Sequence, residues 1–369
     1  MSNLIYITSR KLPSMEANSV NSLKMCNSFL KLGLSVNIFC DLANFNQSIF
    51  KSKYGVSEKL RFNNSRLFPK TSFRMINFTS RLTSDFFLSY NLNRDKRNFI
   101  FSRNIFSLLM LKHVRFSLEL HKPPNSFFEK IIFRLIGERS NCSKIICISN
   151  SLKNIIIKDN PNLPKNKILV CHDGAEKFKG DKLSRKNRKM RVAYAGSLYK
   201  GRGLSIIKKM AEKFRNTNFV VIGGEKNEFN YEHANILHIP FVAHSKVSSL
   251  LNQCDVLLAP YQKALTIRNQ KNSSSHLWMS PLKVFEYMSI GKPIICSNFK
   301  VINEVLRDGY NSILVNPSNV VDWLNALQTL KGNEKLMDQL GKNAKGDFEA
   351  NYTWYKRAER IIKECKISS

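Results

Sequence analysis

Short apolar segments alternate with helical segments along the whole chain, and this alternation limits the possible folds more than any other feature. The apolar segments are bounded by polar or turn residues, as is typical of parallel strands buried on both faces. Six are predicted in the first half, at residues 4–8, 35–40, 98–102, 116–120, 144–149 and 167–172. Six more follow, at residues 191–195, 218–223, 236–239, 256–260, 293–297 and 312–315. Two such arrays predict an α/β protein with two Rossmann-like, doubly wound domains.

A polar stretch separates the two arrays. Residues 177–189, KFKGDKLSRKNRK, contain almost no apolar side chains and show no periodicity, which is typical of an exposed linker. We therefore predict a first domain over residues 1–178, a basic linker over 179–190 and a second domain over 191–350. A helix is predicted over 351–369 and, since it follows the second sheet, it is placed to cross back to the first domain. Ligands are expected at the carboxyl ends of the strands, in the cleft between the domains.

The net formal charge of +32 is the strongest compositional signal. A field of that sign attracts polyanions such as nucleic acid, anionic lipid or phosphorylated substrates, although a solvated basic surface is the other interpretation. No apolar run approaches the roughly 18 residues that span a bilayer. The N-terminus predicts a strand rather than a signal peptide, so the expected location is the cytoplasm. The eight cysteines include no C-x-x-C pair and predict buried, reduced thiols, with disulfides or a zinc site as the alternative.

A glycine-rich loop opens the second domain. The sequence RVAYAGSLYKGRGLSII predicts a strand that ends at Gly196, a loop that carries Lys200 and Arg202, and a helix that starts near Leu204. Glycine lets backbone amides approach a phosphate, and a helix start carries partial positive charge. The loop therefore predicts a diphosphate site, with an ordinary strand-to-helix turn as the alternative. Its spacing is not G-x-G-x-x-G, which argues against a nicotinamide cofactor.

Two further candidates follow strands at the same predicted edge of the second sheet. Gly223 ends the strand at 218–223, and Tyr261 follows the strand at 256–260. A flat ring at the end of a strand can line a ligand site. The alternative for Tyr261 is an aromatic loop residue that packs locally.

The stretch SPLKVFEYMSIGKPIICSN, residues 280–298, has an unusual composition for a helix. Ser280 and Pro281 suit a helix start, with proline at the first helical position. Lys283 and Glu286 are three residues apart and therefore share a face, where a surface ion pair is one interpretation. Apolar neighbours surround Glu286, and burial without a partner would be costly. The two hydroxyls of a ribose could supply that partner.

This stretch resembles the retaining GT-B glycosyltransferases of the "glycosyl transferases group 1" kind, in the branch with SP-x-K-x-FEY. The segments GSLYKGRG, PFVAHSKV, CDVLLAPY and GYNSILVNP match the same family in order and spacing. The resemblance covers the whole second domain and is looser in the first. It implies a GT-B fold in which the second domain binds a UDP-, GDP- or dTDP-linked sugar and the first domain binds the acceptor.

The resemblance also assigns roles to residues of the second domain. Glu286 matches the carboxylate that holds the donor ribose, and Lys200 and Arg202 match the basic loop that holds the diphosphate. The segment from Ser280 to Lys283 matches one that reaches the sugar and the phosphates. Lys200, Arg202 and His121 are the catalytic candidates. The predicted donor-binding set is Gly196, Ser197, Lys200, Arg202, Gly223, Tyr261, Ser280, Pro281, Leu282, Lys283 and Glu286.

The first domain supplies the predicted acceptor residues Ser9, Glu119 and His121. His121 matches a position near the transferred sugar in some members of the family, with a satisfied core histidine as the alternative. Ser9 begins a stretch, 9–18, that has no glycine, so we expect an acceptor loop unlike that of other members. Trp278 stands where many members carry a first glutamate, and this departure leaves the donor sugar open.

The implied reaction transfers a hexosyl or related sugar, with retention, to a saccharide or lipid-linked saccharide in the biosynthesis of cell-surface polysaccharide or lipopolysaccharide. Cleavage of the anomeric bond builds negative charge on the diphosphate, which fixed cations stabilise. No D-x-D motif occurs, so we predict neither a metal nor a cofactor and name no enzyme nucleophile. A nucleotide-sugar epimerase of the same architecture and a non-enzymatic polyanion-binding protein are alternatives. Nucleic acid is not a predicted partner, because no recognisable binding module occurs.

One segment of the first domain suggests contact with a membrane. Residues 127–136, FFEKIIFRLI, mix aromatic and aliphatic side chains with Lys130 and Arg134. We hypothesise that this segment docks on an anionic surface and makes the protein peripheral at the inner leaflet of the plasma membrane. The alternative is an ordinary helix that faces the core.

Overall fold

The computed structural model describes residues 3–12, 14, 17–42, 54–68, 73–180, 188–199, 201–225, 233–263, 265–267 and 270–367. The chain forms two compact units. The first comprises Met1–His172 and Trp354–Ser369, and the second comprises Asp173–Thr353. The division thus falls a few residues before 178, and the C-terminal helix belongs to the first unit. Residues 181–187, most of the predicted linker, lie outside the described residues.

The first unit contains a seven-stranded sheet whose neighbouring strands are all parallel. Its strands are β1 (Asn3–Leu12), β2 (Ser35–Leu42), β3 (Arg61–Asn64), β4 (Asn98–Ser102), β5 (Arg115–Leu120), β6 (Cys142–Cys147) and β7 (Ile168–Val170). They lie in the order β3-β2-β1-β4-β5-β6-β7. The intervening helices are α1 (Ala17–Lys31), α2 (Arg74–Leu92), α3 (Phe127–Gly137) and α4 (Asn150–Asp159).

The second unit contains a six-stranded parallel sheet and a short antiparallel hairpin. Its strands are β8 (Arg191–Ala195), β9 (Asn218–Ile222), β10 (Ile236–Ile239), β11 (Val256–Ala259), β12 (Leu265–Ile267), β13 (Gln270–Ser273), β14 (Ile294–Ser297) and β15 (Ile313–Val315). The sheet order is β10-β9-β8-β11-β14-β15, and β12 pairs with β13. The helices are α5 (Leu204–Lys213), α6 (His244–Asn252), α7 (Leu282–Ile290), α8 (Val320–Leu330) and α9 (Glu334–Asn351). The chain ends with α10 (Trp354–Cys365), which packs against α1 in the first unit.

Both sheets are doubly wound, so the predicted fold class is confirmed. The predicted strands are all present, with ends that shift by a few residues. β3 and the hairpin β12–β13 were not predicted. The sequence of β3, RFNN, has one apolar residue because it is an edge strand with a largely exposed surface.

Apolar clusters cover both faces of the second sheet. Along β8, Val192 and Tyr194 belong to one buried cluster, whereas Ala193 and Ala195 belong to another. Successive side chains of a strand point to opposite faces, so this strand is buried on both sides. Such burial explains why the strands of this chain are continuous apolar runs rather than alternating ones.

The eight cysteines are buried and free, as predicted. Burial raises the pKa of the Cys40, Cys142 and Cys147 thiols to about 12, so they are protonated at neutral pH. Within the described ranges, no helix has both the length and the apolarity to cross a membrane.

Candidate active site

Three neighbouring strands of the second sheet end at predicted donor residues. β8 leads into Gly196 and Ser197, β9 leads into Gly223, and β11 leads into Pro260 and Tyr261. Since β9, β8 and β11 are adjacent and parallel, their carboxyl ends meet at one edge of the sheet. The structure therefore brings these residues together.

The backbones of Gly196 and Gly223 are in close contact. Their φ angles are +147° and +115°, a region that side chains other than glycine rarely adopt. The amide of Gly196 donates to the carbonyl of Ile222 at 2.9 Å, and a Cβ on Gly223 would collide with the carbonyl oxygen of Gly196. Glycine at both positions lets the two strand ends approach each other and leaves bare backbone along this edge.

The amino group of Lys283, in the first turn of α7, lies against this edge. Its Nζ is 3.7 Å from the centre of the Tyr194 ring and 5.6 Å from the centre of the Tyr261 ring. A Cβ on Gly196 would come within 2.8 Å of the same Nζ. Two aromatic rings and bare backbone thus enclose the ammonium, and the ring quadrupoles favour its charge.

The surroundings of Lys283 are nevertheless unfavourable for a cation. Burial, followed by the nearby charge of Arg202, lowers the pKa of Lys283 well below its usual range, while Glu286 partly opposes this shift. Arg202 itself has a buried Nε with no hydrogen-bond partner among the described residues. Two neighbouring cations in a poorly solvated site predict a ligand that carries negative charge.

The loop that carries Arg202 is tied to the end of β11. Gly203 is the N-cap of α5 with φ +74°, and a Cβ there would collide with Pro260. The carbonyl of Gly201 accepts a hydrogen bond from the amide of Gln262 at 3.0 Å. Arg202 therefore sits between two fixed residues at the start of α5, where the helix dipole adds positive potential.

Tyr287 fixes α7 to the sheet, and the sequence pattern did not single it out. Its buried hydroxyl accepts a hydrogen bond from the amide of Ala195 at 2.8 Å and donates one to the carbonyl of Leu258 at 3.2 Å. It thereby joins β8 to β11 one helical turn from Lys283. The sequence signal for this role was a tyrosine in an apolar helix, four residues after Lys283, because a buried tyrosine hydroxyl needs a hydrogen-bond partner.

The start of α7 differs from the prediction. The helix begins at Leu282, and Pro281 is its N-cap because its ψ of 83° lies outside the helical range. The buried hydroxyl of Ser280 accepts a hydrogen bond from the amide of Asp173 at 2.9 Å, which anchors this end of the helix. Glu286 lies half-buried on the same helix.

Of the remaining candidates in the second unit, Tyr261 and Ser197 lie among the described residues. Tyr261 is buried beside Lys283, and its carbonyl accepts a hydrogen bond from the Ser297 hydroxyl at 2.6 Å. The carbonyl of Ser197 accepts one from the Tyr194 hydroxyl at 2.7 Å. Lys200 lies outside the described residues. Across the described part of the chain, no group of three or more His, Cys, Asp and Glu residues could hold a metal ion.

In the first unit, Glu119 and His121 lie at the end of β5 and contact each other. The buried Glu119 carboxylate accepts hydrogen bonds from His121 Nε2 and, at 2.9 Å, from Arg357, and Arg103 Nε is 3.3 Å away. Burial alone would raise the pKa of Glu119, but Arg357, His121 and Arg103 together hold it well below its usual range. Glu119 is therefore an anion whose charge is compensated within the unit, and it orients the His121 ring.

Arg357 comes from the C-terminal helix α10 and was not predicted. Its side chain is 2% exposed, and its Nε donates to the carbonyl of His172 at 2.8 Å. It lies three residues after Trp354 and four before Ile361, inside the apolar stripe of the helix. An arginine inside an apolar stripe was the sequence signal that could have indicated this contact, because a buried arginine requires a buried acceptor.

Ser9 lies within β1 rather than in a loop. The strand runs on to Leu12, and its register with β2 shifts between Ile7 and Lys11, so Ser9 falls in the irregular part. Ser9 therefore does not begin a loop, and its role toward an acceptor stays a prediction. A polar strand such as TSRKL lacks the apolar continuity from which strands were predicted.

The sequence profile of the family described as "Glycosyl transferases group 1" matches residues 176–347. These residues, which lie in the second unit, are similar to a group 1 glycosyltransferase domain. The chain is also 27% identical over 224 residues to "Uncharacterized glycosyltransferase MJ1178" of Methanocaldococcus jannaschii, a match of 59% of this chain and 57% of that relative. The chain thus spans little more than half the length of this curated relative.

Two solved structures are similar over nearly the whole chain. Sucrose-phosphate synthase from Thermosynechococcus elongatus has a TM-score of 0.72 at 13% identity, with 98% of each chain covered. Anabaena HepE, in complex with UDP and glucose, has a TM-score of 0.67 at 12% identity, with 99% of this chain and all of that chain covered. Likeness at this identity concerns the fold, which is GT-B, as predicted.

We predict that Arg357→Met destabilises the first unit. The substitution keeps an apolar stem but takes a cation away from the buried Glu119 carboxylate, so the free energy of unfolding should fall by about 3–5 kcal/mol. Hydrogen exchange of a peptide that covers β5, followed by mass spectrometry, measures this loss. Arg360→Met changes an exposed arginine of the same helix and should shift stability by less than about 0.5 kcal/mol. Equal effects of the two substitutions would contradict the role of the ion cluster.

Proposed function

We propose that this chain is a retaining glycosyltransferase that moves a sugar from a nucleotide-sugar donor to a saccharide or lipid-linked saccharide acceptor. The observation that carries the proposal is the position of the Lys283 ammonium, which lies against the bare backbone of Gly196 at the strand ends of the second unit. Arg202 adds a second cation, and the start of α5 adds a helix dipole. This combination suits a diphosphate.

The other donor contacts follow from this placement. Glu286 follows Lys283 by one turn of α7, so a nucleotide whose diphosphate meets Lys283 would present its ribose hydroxyls to the Glu286 carboxylate. The backbone at Gly196, Ser197 and Gly223 would line the donor. The UDP and glucose bound by HepE are compatible with a UDP-sugar as one candidate donor.

The mechanism rests on charge. When the anomeric C–O bond breaks, negative charge grows on the diphosphate and positive charge grows on the sugar. Lys283 and Arg202, with Lys200, would stabilise the departing diphosphate, and no resident metal or cofactor enters the proposal. The acceptor hydroxyl attacks from the face that the leaving group vacates, and its proton passes to the departing phosphate oxygen. Attack from this face retains the configuration. His121, oriented by Glu119, would position the acceptor or the sugar in the first unit.

The proposal extends to location and pathway. A lipid-linked acceptor is presented at the cytoplasmic face of a membrane, so a cytoplasmic enzyme that attaches peripherally could reach it. Assembly of a cell-surface polysaccharide or lipopolysaccharide is the process that this acceptor class serves.

A comparison of UDP with inorganic pyrophosphate tests the donor site. Lys283→Met should weaken both ligands by roughly tenfold to hundredfold, because it removes a charge-assisted contact to the diphosphate. Glu286→Gln should weaken UDP but not pyrophosphate, since only UDP has a ribose. Isothermal titration calorimetry gives each affinity, and GDP and dTDP complete the panel. If Glu286→Gln weakened UDP and pyrophosphate equally, the ribose assignment would be wrong.

Binding of UDP should also take up a proton when the pH lies above the pKa of Lys283 in the free protein. The pKa of Lys283 lies below its usual range in the free protein, and a bound diphosphate would raise it. Affinity should therefore be constant below the free-state pKa of Lys283 and fall as the pH rises above it. Calorimetry in two buffers that differ in ionisation enthalpy measures the number of protons taken up for each UDP bound. Lys283→Met should abolish the uptake, and an unchanged uptake in that variant would assign the proton to another group.

Gly196→Ala should weaken UDP by at least about tenfold, because its Cβ would displace the Lys283 ammonium and strain the backbone. Gly309→Ala is the matched control. Gly309 also has positive φ, +69°, but a Cβ there would meet nothing within 4 Å. The control should lose about 1 kcal/mol of stability and keep its affinity for UDP. Equal loss of affinity in both variants would refute the contact with Lys283.

A further inference from the structure

Helix α2 of the first unit buries polar side chains and exposes large apolar ones. A surface helix normally buries its apolar face and exposes its polar face. In α2 the buried side chains include Ser84, Asp85 and Ser89, whereas Phe87 is about half exposed. The other exposed large apolar side chains of this helix are Met75, Ile76, Phe78, Phe86 and Tyr90.

The buried hydroxyls of Ser84 and Ser89 have hydrogen-bond partners. The Ser84 hydroxyl donates to the carbonyl of Ser80 at 2.7 Å and accepts from the amide of Leu67 at 3.1 Å. The Ser89 hydroxyl donates to the carbonyl of Phe86 at 2.9 Å. The bonds to Ser80 and Phe86 lie within the helix, whereas the bond from Leu67 joins Ser84 to another segment. Turning the helix over would break the bond from Leu67, so this bond favours the orientation that exposes the aromatic face.

Helix α3 presents a second apolar face to solvent. Phe133 and Ile136 are buried, as the core-facing interpretation of this segment predicts. The opposite side is also apolar and exposed, and the relative solvent exposure of Phe127 is 73%. The exposed apolar residues of α3 are Phe127, Phe128, Ile131 and Leu135.

The two helices lie on the same side of the sheet. α2 connects β3 to β4 and α3 connects β5 to β6, and both connections move toward the β7 edge. Parallel crossovers are right-handed, so both helices cover one face. Both also contact the short 3-10 helix Phe106–Leu108. We call the exposed residues of α2 and α3 the apolar surface.

The charges of these helices favour an anionic occupant. Each helix has a single acidic residue: Asp85 is buried, and Glu129 is engaged in a capping box with Ser126. Lys130 and Arg134 of α3 are exposed. Just after α2, Arg94 lies over the Tyr90 ring at 5.5 Å and Lys96 is exposed, whereas Arg97 forms an ion pair with Asp95 at 3.0 Å.

A second copy of the chain is a poorer occupant than a lipid surface. The net charge of +32 makes two copies repel each other and draws the protein to anionic surfaces. Exposed aromatic and aliphatic side chains flanked by Lys and Arg match the boundary between lipid headgroups and acyl chains. We propose that the apolar surface docks the first unit on an anionic lipid bilayer. This proposal stands apart from the donor site.

Sedimentation with vesicles tests the proposal. The wild-type protein should bind vesicles of phosphatidylcholine with phosphatidylglycerol, and bind pure phosphatidylcholine much more weakly. F86S/F87S and F127S/F128S should each lower partitioning at least tenfold. Lys130→Gln should lower it about fivefold, and high salt should weaken it further. Circular dichroism and UDP affinity, measured on the same samples, should be unchanged in all three variants.

The matched control is L237S/F241S, which removes two similarly exposed apolar side chains from the second unit. It should leave partitioning unchanged. The proposal fails if this control weakens binding as much as F127S/F128S does. It also fails if both apolar variants of the first unit bind like the wild type, since charge alone would then suffice. If light scattering showed a dimer that F86S/F87S dissociates, without vesicle binding by the wild type, the occupant would be a second copy.

Discussion

The candidate site of the second unit depends on a cation that its surroundings only partly compensate. Removing the Lys283 ammonium from water costs free energy, which the rings of Tyr194 and Tyr261 offset in part. Arg202 adds repulsion, and the pKa of Lys283 falls accordingly. The fixed glycine backbone, the tethered Arg202 loop and the Tyr287 hydroxyl all hold these charges at one edge of the sheet, where an anionic ligand would complete the compensation.

The first unit contains the opposite case. The Glu119 carboxylate is also buried, but Arg357, Arg103 and His121 surround it and compensate its charge within the protein. A buried charge that has all its partners in the chain supports structure, whereas one without them points to a ligand. This contrast separates the role of Glu119, which holds the unit together, from the role proposed for Lys283. His121 is more exposed than Glu119 and remains the candidate for positioning the acceptor or the sugar.

Charge and apolarity act together on the outside of the first unit. The basic composition alone does not identify a partner, because a solvated basic surface would have the same net charge. The inverted helix α2 changes this, since it places exposed Phe86 and Phe87 on the same side of the sheet as Lys130 and Arg134. Aromatic anchors beside cations distinguish a lipid surface from a soluble polyanion.

The apolar runs by themselves determined the two parallel sheets, because strands buried on both faces must be continuously apolar. They also placed Gly196, Gly223 and Tyr261 at one edge, since the carboxyl ends of adjacent parallel strands coincide. They could not reveal β3, whose edge position requires little apolarity. Nor could they show that the polar side of α2 faces inward, because that depends on the bond between Ser84 and Leu67.

Contacts between distant residues were decided only by the tertiary structure. Arg357 meets Glu119 across more than two hundred residues, and no local period encodes such a pair. Lys283 and Gly196 lie on different elements, and their contact exists only once α7 has packed on the sheet. Local patterns follow from the chain's own geometry, whereas the balance of a buried charge depends on every element around it. The sequence therefore determined which residues reach the strand ends, and the packing decided which of their charges are left for a ligand.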